Sequence, residues 1–448
     1  MTHAGNRVSL LRGAGFRSHP PGVPHPQNRG RWLLTRLLLL AVAALGLAVL
    51  TPGIASADNE AVIGTLQTSR SGPIKGVEVT VETADGQKVD SATTDETGKW
   101  SVNVPGPGKY KVTINTKDLP NGISAASGDS RTVTVDPNRQ QPVSFALNDG
   151  SRSGGGNIRA VQLLVDGLRF GLLIAMCAVG LSLIFGTTGL TNFAHGELVT
   201  IGAIAAWYFN VSAGIPIIWA TVLALIVGGI VGALNEIGLW RPLRRRGTGL
   251  VAALVVSIGL SLALRYFIQI IYGGFSRSYL DYQAQRAVDY GVFTMTNRAL
   301  SSIIISVVVL VLIALMLQRT KIGKAMRAVA DNRDLAASSG IDVNRVILVV
   351  WMMGGALAAL GGVLLGLSDQ VQWDMGFRLL LLMFAGVTLG GLGTAYGALV
   401  GSVVVGIFVQ MSTLVIPNDV KYVGGLLLLI VILIIRPQGI LGSRARIG

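Results

Sequence analysis

The sequence predicts an all-α polytopic membrane bundle of about eight or nine transmembrane helices, preceded by a small all-β extracytoplasmic sandwich. Of the 448 residues only 13% are charged and 51% are hydrophobic, whereas a soluble domain carries about 25% charged residues. Long apolar runs follow residue 160, and the stretch before them alternates apolar and polar residues. The chain also has 58 glycines, which suits close packing of helices in lipid.

The first segment, residues 1–57, has the pattern of a targeting sequence. Arginines cluster just before the apolar run 37–50, and residues 55–57, which read Ala-Ser-Ala, fit a small-residue cleavage site. We therefore expect a signal peptide that is cleaved, and an uncleaved signal anchor is the alternative.

Residues 58–150 are predicted to form a soluble β-rich domain, because short segments alternate apolar and polar residues as half-buried strands do. These segments are 77–81, 100–104, 110–114 and 132–135. Asp85-Gly86 and Thr97-Gly98 supply turns between them, so we expect a small antiparallel sandwich. Residues 151–159 then form a Ser/Gly linker.

Two stretches of this domain carry a resemblance. Residues 95–100, Asp-Glu-Thr-Gly-Lys-Trp, and residues 107–110, Pro-Gly-Lys-Tyr, resemble the carboxypeptidase-regulatory-like and Cna-B-like sandwiches of secreted proteins. The segment has no catalytic constellation, so its expected role is that of a spacer or docking module.

Residues 160–448 are predicted to be the membrane domain, because a bilayer-crossing helix needs about 20 largely apolar residues. The predicted spans are 162–186, 196–212, 215–239, 249–272, 299–318, 346–367, 377–391, 395–416 and 420–436. Basic residues concentrate in 241–246, in 319–345 and near the C-terminus. The positive-inside rule therefore predicts a cell-membrane protein with these segments inside and the β domain outside.

The net charge of +14 does not indicate a nucleic-acid partner here, because the basic residues sit in short clusters between apolar runs. Cys177 is the only cysteine, and His195 is the only histidine after the first apolar run. A disulfide framework within the chain and a cysteine metal site are therefore excluded. The sequence contains no G-x-x-x-x-G-K-[ST] loop, so this chain is not expected to hydrolyse ATP by that route.

The run 186–197 interrupts two apolar stretches with three glycines and several hydroxyl side chains. Broken helices in transporters line cavities, so Asn192, His195 and Glu197 would either hydrogen-bond a solute or hold the break together. The alternative is an interfacial turn, with Asn192 capping the next helix.

One predicted span carries Ser257, Ser261, Arg265 and Gln269 four residues apart. This spacing places them on one helix face, which should meet protein or water rather than lipid. Ser257 and Ser261 are therefore candidates for the substrate pathway. Arg265 is expected to extend to the lipid headgroups, and contact with a substrate carboxylate is the alternative.

The segment 320–341 differs from the other loops between spans because it is amphipathic. Ile322, Met326, Val329 and Ala330 follow helical spacing, with basic residues between them. Such a segment lies on the membrane surface or docks a partner. Gly340 is expected to end its helix in a left-handed cap.

Several ordered motifs resemble the branched-chain amino-acid importer permeases of the LivH type. The matching stretches include 181–186 (Leu-Ser-Leu-Ile-Phe-Gly), 192–197 (Asn-Phe-Ala-His-Gly-Glu), 257–261 (Ser-Ile-Gly-Leu-Ser), 384–394 (Phe-Ala-Gly-Val-Thr-Leu-Gly-Gly-Leu-Gly-Thr) and 436–439 (Arg-Pro-Gln-Gly). Glu236 with 241–244, Gly323 with 326–328, and 334–336 with 340–341 match in the same order. The resemblance covers about 160–442 and excludes the leader and the β domain.

The resemblance implies the permease subunit of an ABC importer that moves leucine, isoleucine and valine. Such a permease pairs with a second, LivM-like permease, two cytoplasmic ABC ATPases and an extracytoplasmic solute-binding protein. ATP and Mg would be held by the ATPases, so no cofactor is expected in this chain. The segment 320–341 would be comparable to the E-A-A-x-x-x-G coupling loop, although Leu335 departs from that pattern. The coupling residues would be Gly323, Arg327, Asp334, Ala336 and Gly340.

Two other functions stay open. A permease of the same superfamily for urea or short amides fits the motifs, and a secondary transporter would need no ATPase. The coupling-like segment 320–341 favours the ABC permease over the secondary transporter. An intramembrane enzyme would need paired catalytic groups in the spans, and none is convincing.

Overall fold

The computed structural model describes residues 60–68, 72–125, 128–135, 140–143, 145, 147–148, 156–274, 276–279, 287–416, 421–435 and 439. The predicted leader and its cleavage site, the first part of the linker and the basic C-terminal segment lie outside these residues.

The β domain is built from short strands, and each predicted strand segment overlaps an observed one. The strands are β1 Ala61–Thr65, β2 Gln67–Thr68, β3 Gly72–Pro73, β4 Glu78–Thr83, β5 Lys88–Thr93, β6 Lys99–Asn103, β7 Gly108–Ile114, β8 Ser124–Ala125, β9 Ser130–Val135, β10 Gln140–Val143 and β11 Leu147–Asn148. One sheet has the order β10-β1-β6 and the other has the order β5-β4-β7-β9. The two sheets share one apolar core, which includes Val62, Val81, Trp100 and Val112. The domain is therefore all-β, as predicted.

The pairing of β1 with β10 is parallel, with Gly64 opposite Val143. The prediction of a purely antiparallel sandwich is therefore wrong at this edge. The reason is topological, since the first and the last long strand of the domain lie side by side with the same direction. Strand alternation marks a buried face but does not set the direction of a partner strand.

The predicted turn at Thr97-Gly98 is confirmed. One carboxylate oxygen of Asp95 accepts hydrogen bonds from the Thr97 hydroxyl at 2.8 Å and from the Lys99 N–H at 2.9 Å. The hydrogen bond from the Thr97 side chain is the largest of the effects that lower the pKa of Asp95. Gly98 then adopts a φ of +72°, which favours glycine.

A helix stands at each predicted membrane segment. The helices are α1 Gly156–Thr188, α2 His195–Trp207, α3 Ile217–Asn235, α4 Arg241–Arg245, α5 Leu250–Tyr272, α6 Asn297–Arg319, α7 Lys321–Asp331, α8 Arg333–Ser338, α9 Val343–Asp369, α10 Met375–Gly390, α11 Ala395–Ser412 and α12 Lys421–Ile435. Single π-type turns, Tyr208–Ser212 and Glu236–Trp240, extend α2 and α3. A short hairpin of β12 Ala287–Asp289 and β13 Thr294–Thr296 precedes α6.

Six of the described helices are long and apolar enough to cross a membrane, namely α1, α3 with its extension, α5, α6, α9 and α11. α10 and α12 are apolar but shorter. α2 with its π-type extension is also not among the helices long and apolar enough to cross a bilayer. The chain is therefore a membrane bundle in which full-length and shorter helices are combined.

The helices differ in how much of their apolar surface is covered. About three quarters of the apolar stretch is buried in α1 (78%) and in α9 (72%), against 17% in α5 and 22% in α6. α1 and α9 therefore form the centre of the bundle. The outer faces of α5 and α6 are left for lipid or for another subunit.

Glycines bring α10 and α11 into backbone contact, as the small-residue spacing predicts. A Cβ atom at Gly390 would overlap the backbone of Gly397, and one at Gly401 would overlap Gly386. Gly391 and Gly393 have positive φ values, so the connection between α10 and α11 is the predicted tight turn.

The basic segments meet at one end of the bundle. Arg333, at the start of α8, donates from Nε to the carbonyl oxygen of Thr187 near the end of α1, at 2.8 Å. Burial and the nearby charge of Arg244 both lower the pKa of Arg333. Arg244 is itself paired with the buried carboxylate of Glu236. We call this end of the bundle, marked by Thr187, Arg244 and Arg333, the basic end.

Candidate functional site

The break between α1 and α2 lies inside the bundle rather than at its surface. The Nε2 atom of His195, the first residue of α2, lies 3.1 Å from the carbonyl oxygen of Cys177 in α1. Cys177 stands about 17 Å along the helix from Thr188, counting 1.5 Å per residue. The chain therefore leaves α1 at the basic end, turns back, and starts α2 deep in the bundle.

Backbone and side-chain hydrogen bonds hold this break in place. The Oδ1 atom of Asn192 accepts from the N–H of Ala194 at 3.0 Å. The hydroxyl of Ser257 accepts from the N–H of Phe193 at 3.2 Å. Asn192 therefore stabilises the start of α2, although Ala194 occupies the cap position. Asn192 and Ser257 act on the backbone of the break, which non-helical chain in lipid requires.

Glu197, in the first turn of α2, is fully buried and is the centre of a charged cluster. Its Oε1 atom accepts from the Ser261 hydroxyl at 3.0 Å and lies 3.4 Å from Nε of Arg265. The guanidinium of Arg265 also lies 3.5 Å from the centre of the Phe377 ring. The predicted helix face of α5 therefore meets protein, and it brings Ser261 and Arg265 to Glu197.

The expectation that Arg265 extends to the lipid headgroups is wrong. Its side chain is only 12% exposed, because it is turned toward Glu197 and Phe377. A buried carboxylate and an aromatic face together bind a guanidinium more strongly than exposed headgroups do. Position along the helix alone could not reveal this, since Glu197 belongs to another helix.

A second ion pair, which the sequence reasoning missed, stands at the start of α10. Asp374 accepts from Nε of Arg378 at 2.9 Å. In the sequence the two residues are an acid and a base four positions apart, a spacing that favours an ion pair on a helix. Their position at the start of a short apolar span obscured this signal.

Small residues let the starts of α2 and α10 pack together. The N–H of Gly376 donates to the hydroxyl of Thr200 at 3.1 Å. A Cβ atom on Gly196 or on Gly376 would overlap the other residue's backbone. Two helix N-termini, each with positive partial charge, therefore lie side by side within the bundle. Transporters use such termini of interrupted helices to bind charged parts of their substrates.

The His195 side chain contacts α1 rather than the charged cluster around Glu197. Its ring is buried, and its Nε2 atom contacts the backbone of α1. Within the described residues its Nδ1 atom has no hydrogen-bond partner, and no group of three His, Cys, Asp or Glu side chains could hold a metal ion. His195 therefore links α1 to α2, while Glu197 faces the charged cluster.

The predicted coupling residues divide into two sets. Gly323 and Ala336 are buried, whereas Arg327, Asp334 and Gly340 are exposed. Gly340 has a φ of +84°, as its predicted role as a helix end requires.

The buried face of α7 differs from the predicted one. Gly323, Met326 and Val329 are buried, and Ile322 is 51% exposed. Ile322, which the helical spacing groups with Met326 and Val329, is therefore not part of the buried face. A Cβ atom at Gly323 would overlap the end of α6 at Leu317, so this glycine brings α7 against α6 and turns Ile322 outward.

Comparison with known proteins decides the family. A family model described as "Branched-chain amino acid transport system / permease component" matches residues 163–435. The chain belongs to this permease family. A second model, the carboxypeptidase regulatory-like domain, matches residues 61–148 of the permease. Both resemblances seen in the sequence are therefore confirmed.

The curated relatives of this chain support the same family assignment. LivH of the high-affinity branched-chain amino acid transport system of Escherichia coli (strain K12) is 30% identical over 295 residues, which cover 63% of this permease and 95% of LivH. BraD of Pseudomonas aeruginosa is 30% identical over 296 residues, with coverage of 63% and 95%. A probable LivH of Methanocaldococcus jannaschii is 28% identical over 291 residues, with coverage of 63% and 92%. No solved structure gave a significant match.

The permease is therefore a multi-pass membrane protein and a permease subunit of an ABC importer. Its family match begins at residue 163, after the β domain. The β domain is thus an addition to the part of the chain that carries transport.

Proposed function

We propose that this permease forms the translocation pathway for branched-chain amino acids. The names of the LivH and BraD relatives support leucine, isoleucine and valine as substrates. Its partners would be a second, LivM-like permease, two cytoplasmic ABC ATPases and an extracytoplasmic solute-binding protein. ATP and Mg would bind to the ATPases, with no cofactor in this chain.

The observation that carries this proposal is the interrupted helix with Glu197 buried at its start. Charged groups are costly inside a membrane and mark the pathways of solutes. Asn192, His195 and Ser257 hold the break, and Ser261 orients Glu197. The pathway would thus pass the start of α2, where polar groups replace part of the water shell of the solute.

We assign the coupling of ATP hydrolysis to α7 and α8. Their exposed face carries Arg327, Asp334 and two exposed apolar side chains, Ile322 and Leu335. A face that combines charge with exposed apolar surface fits an ATPase subunit. Arg333 then connects this segment to Thr187, directly before the break.

The proposal includes an orientation in the membrane. The basic end would lie inside the cell and the β domain outside, in agreement with the positive-inside rule. The meeting of Arg244 and Arg333 at one end of the bundle supports this, because both would then face the same compartment.

The test is uptake by cells that lack this subunit. We expect uptake of labelled leucine to fall and to return when the gene is restored. Urea is measured in parallel, because a permease for urea or short amides is the alternative. Normal leucine uptake with lost urea uptake would transfer the assignment to that alternative.

A further inference from the structure

The ion pair between Glu197 and Arg265 leaves binding capacity unused on both partners. Both the Ser261 hydroxyl and Arg265 act on the same oxygen, Oε1 of Glu197. The other oxygen, Oε2, is buried and has no hydrogen-bond partner in the part of the chain that the structure describes. A buried carboxylate oxygen without a donor is costly, so a ligand that donates to it would bind favourably.

Arg265 is also incompletely used. It reaches Glu197 only through Nε, at 3.4 Å, rather than through the two parallel hydrogen bonds of a bidentate pair. Among the described residues, its terminal nitrogens donate no hydrogen bond, and Nε alone donates to Glu197. Phe377 supports the guanidinium plane from one side. The terminal nitrogens therefore remain free to bind a carboxylate bidentately.

Side-chain exposure differs widely among the charged residues at and near the starts of α2 and α10. The side chains become less exposed from Arg378 (51%) through Asp374 (18%) and Arg265 (12%) to Glu197 (0%). Arg378 lies two residues after Gly376, which contacts the buried start of α2. An arginine exposed at this depth must face water or protein rather than lipid. Glu197 is thus the closed end of the site, and Arg265 is its more accessible partner.

We propose that Glu197 and Arg265 bind the two charged ends of an α-amino acid zwitterion, an inference that rests on the proposed function. The substrate ammonium donates to Oε2 of Glu197, and the substrate carboxylate accepts from the terminal nitrogens of Arg265. The zwitterion has no net charge, so the site stays neutral when it is filled. Without substrate, the two side chains neutralise each other.

A purely structural ion pair makes a different prediction. Removal of one charge leaves the other buried and unpaired, so each single variant is harmful under either hypothesis. Removal of both charges leaves no unpaired charge. The double variant Glu197→Gln/Arg265→Gln therefore restores transport if the pair only stabilises the bundle, and it does not if the pair binds substrate.

The experiment uses the complete importer in proteoliposomes, with its binding protein and labelled leucine. We expect the double variant to insert, to keep ATP hydrolysis stimulated by the binding protein, and to lose leucine uptake by about 30-fold or more. The matched control is Lys75→Gln/Glu96→Gln, which removes a cation and an anion from an exposed pair of the β domain. The control should transport like the wild type.

Uptake by the double variant within about twofold of the wild type would overturn the inference, since that difference is below 1 kcal/mol. If the double variant does not insert, Arg265→Lys decides, because it keeps the charge but loses the bidentate fork. We then expect the KM for leucine to rise about tenfold, and an unchanged KM would contradict the inference. A wild-type importer that moves urea and not leucine would instead overturn the proposed function.

Discussion

At the scale of single residues, the neighbours of a glycine decide its role. A Cβ atom at Gly228 in α3 would lie 2.5 Å from Cβ of Ala359 and 2.6 Å from the carbonyl oxygen of Gly355. A Cβ atom at Gly259 in α5 would have no atom within 4 Å. Both glycines lie within apolar helices, yet only the first sits where two backbones approach closely.

We therefore expect Gly228→Val to destabilise the bundle by about 1–3 kcal/mol, because the added methyl groups force α3 away from α9. Gly259→Val is the matched control and should change stability by no more than about 0.5 kcal/mol. Thermal unfolding of the purified protein in detergent measures both. Equal melting temperatures for the two variants would show that α3 and α9 do not pack as described.

At the scale of elements, α7 and α8 form a segment with one buried face and one exposed face, and we propose that the exposed face docks the ATPase. Met326 and Ala336 are buried against the bundle, and Arg327 is exposed. Gly340 ends the segment at φ +84°, and a Cβ atom added to it would have no atom within 4 Å. A side chain there would strain only the backbone, at a cost of about 1–2 kcal/mol.

We expect Arg327→Glu and Gly340→Val to leave the protein inserted but uncoupled. The first reverses a charge on the proposed docking face, and the second disturbs the end of the segment that carries this face. Reconstitution with the cognate ATPases, with uptake and ATP hydrolysis measured together, should show hydrolysis without transport or weak ATPase binding.

Conservative substitutions are the controls for this prediction. Arg327→Lys keeps the charge, and Gly340→Asn introduces a residue that tolerates positive φ. Both should retain most of the uptake. Wild-type rates for Arg327→Glu and Gly340→Val would mean that α7 and α8 do not couple hydrolysis to transport.

At the scale of the whole molecule, the basic end is expected to face the cytoplasm. Arg333 belongs to the basic segment 319–345, and Arg244 belongs to the basic segment 241–246. The two side chains lie near each other, and Arg333 also donates to the carbonyl oxygen of Thr187 at the end of α1. The electrostatic asymmetry that orients helices during insertion therefore acts at a single face of the bundle. The β domain, which precedes α1, would then lie on the opposite side of the membrane.

Cysteine labelling tests this orientation in a Cys177→Ala background. A membrane-impermeant maleimide should label Ser91→Cys in the β domain of intact cells. It should label Ser339→Cys, at the exposed end of α8, only after the cells are opened. The reverse pattern would overturn the proposed topology.

Properties that depend on one segment of chain could be predicted from the residues alone. Apolar length located every membrane helix among the described residues, because the cost of exposing polar groups to lipid acts on each segment separately. Positive φ at Gly98 and Gly340 likewise followed from local turn and cap chemistry. The family motifs around Asn192 and Glu197 marked the region of the candidate site.

Properties that depend on a partner from another element were decided only by tertiary structure. Three features follow from contacts between helices: the direction of the Arg265 side chain, the outward position of Ile322 and the depth at which α2 begins. Periodicity tells which residues share a face, but not which charge or backbone that face will meet. An ion pair between two helices is visible only when both helices are in place, because its energy depends on a distance that neither segment determines by itself.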